Sequence, residues 1–294
     1  ATRRLGQQPV NVQEDEGVSL SWEPIDIADP EGGVIRLWPH LPTVVYPKAL
    51  RRTTGEWQGL GLLLSSEEPE LWAEQEESER VSRGINRDAS AAQGGLTGRL
   101  MSGMKSIEDI QCGRFPDPEL IRLFRAANKQ GGKEQRPTYF IEPDMDDEKW
   151  LAWTESLTEE LVRPMRLAGQ IFAHSKWKRA LKKSMKETVP PSSVREDEVA
   201  FALAEASALT DAWWNSNESM LTPELCEQRN QRFAARLRGA LSNLRAEAED
   251  AGGQFDDEAA PVLLVPVTQS WLADIAEALK NHPIPETIDP TEEV

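Results

Sequence analysis

The chain has 294 residues and a mass of 32.9 kDa, which suits one large domain or two modest ones. Hydrophobic residues make up 39% of it and no apolar run approaches the ~18 residues of a membrane span, so we exclude wholly disordered, fibrous and membrane-spanning proteins. Fifty acidic against 33 basic residues give a net charge of −17, so any binding of an anion needs a local basic patch.

The first part of the chain has the pattern of a small sheet. We expect residues 1–16 to be a flexible N-terminus and residues 17–83 to be a β-rich region that ends in an acidic helix. Short runs of β-branched and aromatic residues alternate with Pro and Gly, which is typical of strands in a mostly antiparallel sheet. These runs are 18–22, 34–38, 43–46 and 57–64.

Residues 84–113 have a different texture, because they are rich in Gly, Ser and Ala and poor in large side chains. Ordering such a segment loses more chain entropy than packing returns. The sequence therefore predicts a mobile linker here.

Residues 114–282 are predicted to form a mainly helical region with a C-terminal strand and helix. Asp117 and Asp147 have the character of N-caps, and residues 262–265 form an apolar run that suits a buried strand. The helices within 195–251 are expected to form a long antiparallel hairpin. The apolar spacing of its second helix also permits pairing with a second copy of the chain.

These elements predict an α+β fold. It would consist of a predominantly helical body with the long helical hairpin and a small, mostly antiparallel sheet made of the N-terminal strands and the C-terminal strand. Residues 283–294 contain three prolines and four acidic residues, so we expect them to be an acidic, disordered tail.

No motif fixes a reaction. His40, His174 and His282 lack metal-ligand spacing, and the segment 98–106 is one residue too long for a phosphate-binding loop. Carboxylates crowd residues 144–148, where capping of a helix explains them and a metal-dependent hydrolase is the alternative. We therefore predict no catalytic residue, no metal site and no cofactor.

Two cysteines are too few for a disulfide framework or a four-thiolate zinc site. We interpret Cys112 and Cys226 as free thiols of a reducing compartment. No secretory signal is visible in the sequence as given, so the expected location is the cytoplasm.

The most informative segment is 174–186, where basic and apolar residues interleave. On a helix, Trp177, Leu181 and Met185 would share one face, and cations would flank that face. The predicted binding residues are Lys176, Trp177, Lys178, Arg179, Lys182, Lys183 and Lys186.

Three uses of this basic amphipathic helix remain open. It can dock on a protein partner, contact nucleic-acid phosphate, or neutralise the acidic remainder of the chain. Our leading hypothesis is a non-catalytic cytosolic subunit or adaptor that binds other macromolecules through the hairpin and the basic helix. The alternatives are a component of a nucleic-acid-handling complex and a metal-dependent hydrolase with dispersed carboxylates.

Overall fold

The computed structural model describes residues 20–128, 135–163, 173–250 and 260–291. The expected flexible N-terminus, 1–16, lies outside these residues. The strands are β1 (Ile25–Ala28), β2 (Val34–His40), β3 (Gly59–Leu62), β4 (Thr138–Phe140) and β5 (Val262–Thr268). The helices are α1 (Lys48–Arg51), α2 (Glu68–Val81), α3 (Ile85–Ala92), α4 (Gly95–Lys105), α5 (Pro118–Ala127), α6 (Glu148–Leu161), α7 (Ala173–Glu187), α8 (Asp197–Glu218), α9 (Pro223–Asp250) and α10 (Leu272–Lys280).

The strands form one mixed sheet in the order β1-β2-β5-β3-β4. Only β1 is antiparallel to its neighbour, while β2, β5, β3 and β4 all run in the same direction. The expectation of a mostly antiparallel sheet is therefore wrong. The strands are parallel because of the connections between them. Long helical segments connect β3 to β4 and β4 to β5, and crossovers of this kind join parallel strands.

Two helical layers cover the two faces of the sheet. Side chains alternate between the faces along each strand, as on β5, where Leu263 and Leu264 point to different hydrophobic clusters. One cluster takes residues from α2, α4, α5, α7 and α8, and the other from α6, α9 and α10. The fold is thus a mixed α/β structure with the sheet between helices.

Helices α8 and α9 do not form the expected antiparallel hairpin. Leu203 of α8 packs with Trp38 and Leu264 on one face of the sheet. Leu237 and Leu241 of α9 pack with Leu263 on the other face. The sheet therefore buries the apolar stripe of each helix, and the stripe of α9 is not available as a seam for a second copy of the chain.

Residues 84–113 fold mainly into α3 and α4 instead of a linker. Leu100, Met101 and Met104 are buried in the first cluster. A Cβ atom at Gly103 would lie 2.7 Å from Leu209 of α8, so the missing side chain lets the two helices approach closely. The small residues here serve helix packing and not chain flexibility.

The C-terminal segment is also ordered as far as residue 291, which corrects the expectation of a disordered tail. Ile288 is buried in the second cluster. The amide of Glu286 donates to the Ala235 carbonyl at 3.0 Å, and its carboxylate lies 2.7 Å from Arg232. The amino-acid composition of this segment, which is rich in proline and acidic residues, does not reveal such backbone and ion-pair contacts with distant residues.

Candidate functional site

Helix α7 is fixed to the body of the protein by one side. Trp177 is buried in the first cluster, and Ala180 and Leu181 pack against that cluster. Ser184 is buried as well, and its hydroxyl donates a hydrogen bond to Asp211 of α8 at 2.6 Å. The predicted helix thus exists, and its inward side is held by both apolar and polar contacts.

The opposite side of α7 faces solvent and carries the basic residues of the helix. We call it the cationic face of α7, and all six of its members are exposed: Lys176, Lys178, Arg179, Lys182, Lys183 and Lys186. At about 100° per residue they fall within an arc of about 160°, and at about 1.5 Å per residue they extend over about 15 Å. The structure therefore concentrates these charges on one compact surface.

Among the described residues, only one of these six cations has an ion-pair partner. Lys183 lies 3.7 Å from Glu187 one turn further along the helix. The other five form no ion pair with any residue in the described ranges. The glutamates of the acidic helix α2 pair with arginines outside α7, since Glu76 pairs with Arg125 of α5 and Glu77 with Arg80 of α2 itself.

One predicted binding residue, Trp177, and one residue of the predicted apolar face, Met185, do not lie where the sequence placed them. Trp177 faces the core and is only 7% exposed, so it belongs to the inward side and not to a contact surface. Met185, expected beside it on the apolar face, is 52% exposed. Steps of four residues rotate by about 40° each, so the third residue of the stripe leaves the buried arc.

The carboxylates near residues 144–148 are used locally. Asp147 caps α6 by accepting from the Trp150 amide at 2.8 Å, and it lies 2.6 Å from Arg232. The hydrogen bond from Arg232 is the main reason that the pKa of Asp147 lies below its usual range. Asp144 accepts instead from the Ser66 hydroxyl at 2.6 Å.

In the described ranges, these carboxylates included, no three His, Cys, Asp or Glu side chains lie close enough together to hold a metal ion. His40 lies 3.0 Å from Asp117, and both belong to a buried contact between the end of β2 and the start of α5. Burial alone would raise the pKa of Asp117, but His40 and backbone amides outweigh it and lower that pKa. Sequence reasoning missed this pair because 77 residues separate its members.

The two thiols are free, as the sequence predicted. Burial raises the pKa of Cys112 to about 11, and burial together with Glu218 raises that of Cys226 to about 11. Both therefore stay protonated near neutral pH, where a thiol is a poor nucleophile.

Comparison with protein-family models, with curated proteins and with solved structures finds no match to this chain. Within the ranges that the structure describes, no helix combines the length and apolarity needed to cross a membrane. The physical character of the surface therefore carries the functional argument.

Proposed function

We propose that this protein is a non-catalytic binding component that contacts an anionic macromolecule through the cationic face of α7. The observation that carries the proposal is the exposure of six cations on one helix, five of them without an ion-pair partner among the described residues. This surface belongs to a chain with a net charge of −17.

The spacing of the cations is unfavourable for the helix itself. Lys178, Lys182 and Lys186 follow one another at four-residue intervals, and Arg179 has the same relation to Lys183. Like charges at this spacing destabilise a helix by about 0.2–0.5 kcal/mol per pair. An anionic partner would remove that repulsion, whereas a purely structural role would leave it in place.

The chemistry of the face favours phosphate groups. Five of its six cations are lysines, which bind phosphate as point charges and are depleted in protein–protein interfaces. Trp177 points into the core and offers no surface for stacking on bases. The best-fitting partner is therefore the backbone of a nucleic acid, contacted without reading its sequence.

An acidic protein surface is the second candidate, and Met185 is the observation in its favour. Its side chain is 52% exposed at the edge of the cationic face. Methionine is enriched at protein interfaces, where it supplies adaptable apolar contact. In this case the chain would act as a subunit or adaptor, and its free thiols suit a reducing compartment such as the cytoplasm.

The remainder of the protein would orient the encounter. At physiological ionic strength the Debye length is about 8 Å, so a ligand close to α7 experiences mainly the local positive charge. The acidic remainder repels the same ligand. A polyanion is thereby directed to one side of the molecule.

Fluorescence anisotropy with three labelled probes tests the proposal: a short DNA duplex, an RNA hairpin and a poly-glutamate peptide. We expect both nucleic acids to bind with similar affinity and to be released steeply between about 50 and 200 mM salt. Binding of the peptide alone would select the protein partner. Binding of none of the probes at low salt would overturn the proposal.

A further inference from the structure

An open groove of about 710 Å³ lies between α2 and α5. Its floor is apolar and includes Phe115, Pro116 and Ile121. Four arginines line it: Arg51, Arg114, Arg122 and Arg125. They come from α1, from the segment before α5 and from α5 itself, so only the folded chain brings them together.

Two of these arginines are held in place by one buried carboxylate. Glu119 is completely inaccessible to solvent and lies 2.6 Å from Arg51 and 2.7 Å from Arg122. Because two guanidinium groups share one carboxylate, a positive charge remains at the wall of the groove. The Nη2 atom of Arg122 is buried and has no hydrogen-bond acceptor in the described structure.

The other two arginines make no ion pair with Glu119. The guanidinium group of Arg114 donates to the side-chain amide oxygen of Gln111, at 2.9 Å, and makes no ion pair with the residues described. Arg125 pairs with Glu76 at the groove, at 2.6 Å, and both side chains are partly open to solvent. Four guanidinium groups against the carboxylates of Glu76 and Glu119 leave a charge of +2 at the groove.

A neighbouring depression continues the groove and is lined by both arginines and glutamates. It shares Glu76, Arg114, Phe115 and Pro116 with the groove and adds Glu79, Arg80 and Arg83, of which Arg80 pairs with Glu77. Arg83 is exposed and forms no ion pair with another described residue. The carboxylate Glu79 at this end is already occupied, because it accepts from the amides of Gly84 and Asn86.

We propose that the groove binds a small organic anion that carries two phosphate or carboxylate groups on an apolar body. Arginine presents a planar fork that recognises such groups by paired hydrogen bonds, and two negative charges match the +2 of the groove. The volume falls within the range of about 300–1,000 Å³ that is usual for small-ligand sites. The apolar floor around Phe115 and Ile121 receives the body of the ligand.

This site shares no residue with the cationic face of α7, so each can be tested without the other. Thermal denaturation and titration calorimetry of the full chain are measured with inorganic pyrophosphate and, separately, with glutarate. We expect at least one of the two to raise the melting temperature and to bind with one molecule per chain. The stronger of the two identifies the anionic group that the site prefers.

Substitutions locate the binding. Arg114→Ala should weaken the binding of the better probe about tenfold, since it removes a charge-assisted contact. Arg114→Lys should weaken it by a similar factor, because a lysine keeps the charge and loses the fork. Arg195→Ala removes one exposed arginine that lies outside the groove, the neighbouring depression and α7, and it should leave the affinity unchanged.

Arg125→Ala provides a second test that does not depend on how the Arg114 variants fold. Its ion pair is largely exposed, so folding should be little affected. Glu76 would then face the anion unpaired, and the loss of affinity should be at least as large as that in Arg114→Ala. Binding of neither probe at millimolar concentration, or equal binding by the Arg114 and Arg125 variants and the unmodified chain, would overturn the proposal.

Discussion

The hydroxyl of Ser184 lies 2.6 Å from the Asp211 carboxylate, and this hydrogen bond joins α7 to α8 inside the protein. Both residues are buried, with exposures of 2% and 4%. The bond lies on the side of α7 that faces away from its six cations. It therefore fixes the rotation of the helix that turns those cations to solvent.

Ser184→Ala should lower the free energy of unfolding by about 1–3 kcal/mol, because the Asp211 carboxylate would stay buried without this donor. Urea denaturation measures the change. Ser156→Ala is the matched control, since Ser156 is an exposed helical serine that bonds only to the carbonyl four residues earlier. Equal stability changes in the two variants would contradict the role given to the Ser184–Asp211 bond.

Gly239→Ala should destabilise the protein, although the same change inside a helix usually stabilises by about 1 kcal/mol. A Cβ atom at this position of α9 would overlap the Glu286 carbonyl oxygen, so the C-terminal segment would have to move. Overpacking of this kind costs about 1–3 kcal/mol.

Hydrogen exchange gives an independent measure of that movement. The Glu286 amide donates to the Ala235 carbonyl at 3.0 Å, so its exchange should accelerate in Gly239→Ala. A more stable variant with unchanged exchange at Glu286 would show that the segment does not lie across α9.

Asp117 links the start of α5 to His40 and to the Thr43 amide. Asp117→Asn should destabilise the fold through loss of charge, and Asp117→Ala should do so more strongly, because it also removes the N-cap, worth about 1 kcal/mol. The pKa of Asp117 is lowered in the folded chain despite its burial, mainly by His40.

The pH dependence follows from the sign of that shift. A lowered pKa contributes stability that is present above the ordinary value of 3.8 and is lost as the pH falls through the lower, folded value. The stability difference between the unmodified chain and Asp117→Asn should therefore shrink below pH 3.8. A difference that stays constant down to that acid range would contradict the ionised state of Asp117.

Alkaline conditions should weaken the fold through Cys112. Burial raises its pKa from 9.0 to about 11, so between these values the thiol ionises in the unfolded chain before it does so in the folded one. Stability should fall as the pH rises through this window. Cys112→Ala should show a shallower fall, and the same slope in both proteins would refute the shift.

Local signals account for what the sequence predicts well. The acidic helix emerges as α2, and the Asp117 and Asp147 caps emerge at the starts of α5 and α6, because a cap depends on residues only two or three positions away. The apolar runs at β2, β3 and β5 also emerge as strands, since they are short and bounded by turn residues.

Contacts between distant residues account for what the sequence does not predict. Whether two strands are parallel depends on which strands are neighbours in the sheet. Strand β5 lies between β2 and β3, although in the sequence it follows all but one of the described helices. In the sequence, Gly103 resembles a linker residue, whereas in the structure Leu209 packs against it. The sequence of the C-terminal segment predicts disorder, whereas in the structure the ion pair between Arg232 and Glu286 holds the segment in place.

The same distinction applies to the candidate sites. The cationic face of α7 could be predicted because its members lie within one helix. The arginine groove could not, since Arg51, Arg114 and Arg125 lie in separate segments and each has an ordinary local context. Periodicity also misplaced Met185, because four-residue steps drift around a helix of 3.6 residues per turn.

The most direct test of the central claim compares the salt dependence of nucleic-acid binding in two charge-matched variants. Lys178→Gln/Lys182→Gln changes the cationic face of α7, while Lys149→Gln/Lys280→Gln removes two exposed lysines from α6 and α10. We expect the first pair to lower the slope of log affinity against log salt by about 0.9 for each phosphate that the helix no longer neutralises. The control pair should keep the original slope. Identical slopes in both variants would show that α7 is not the surface that binds nucleic acid.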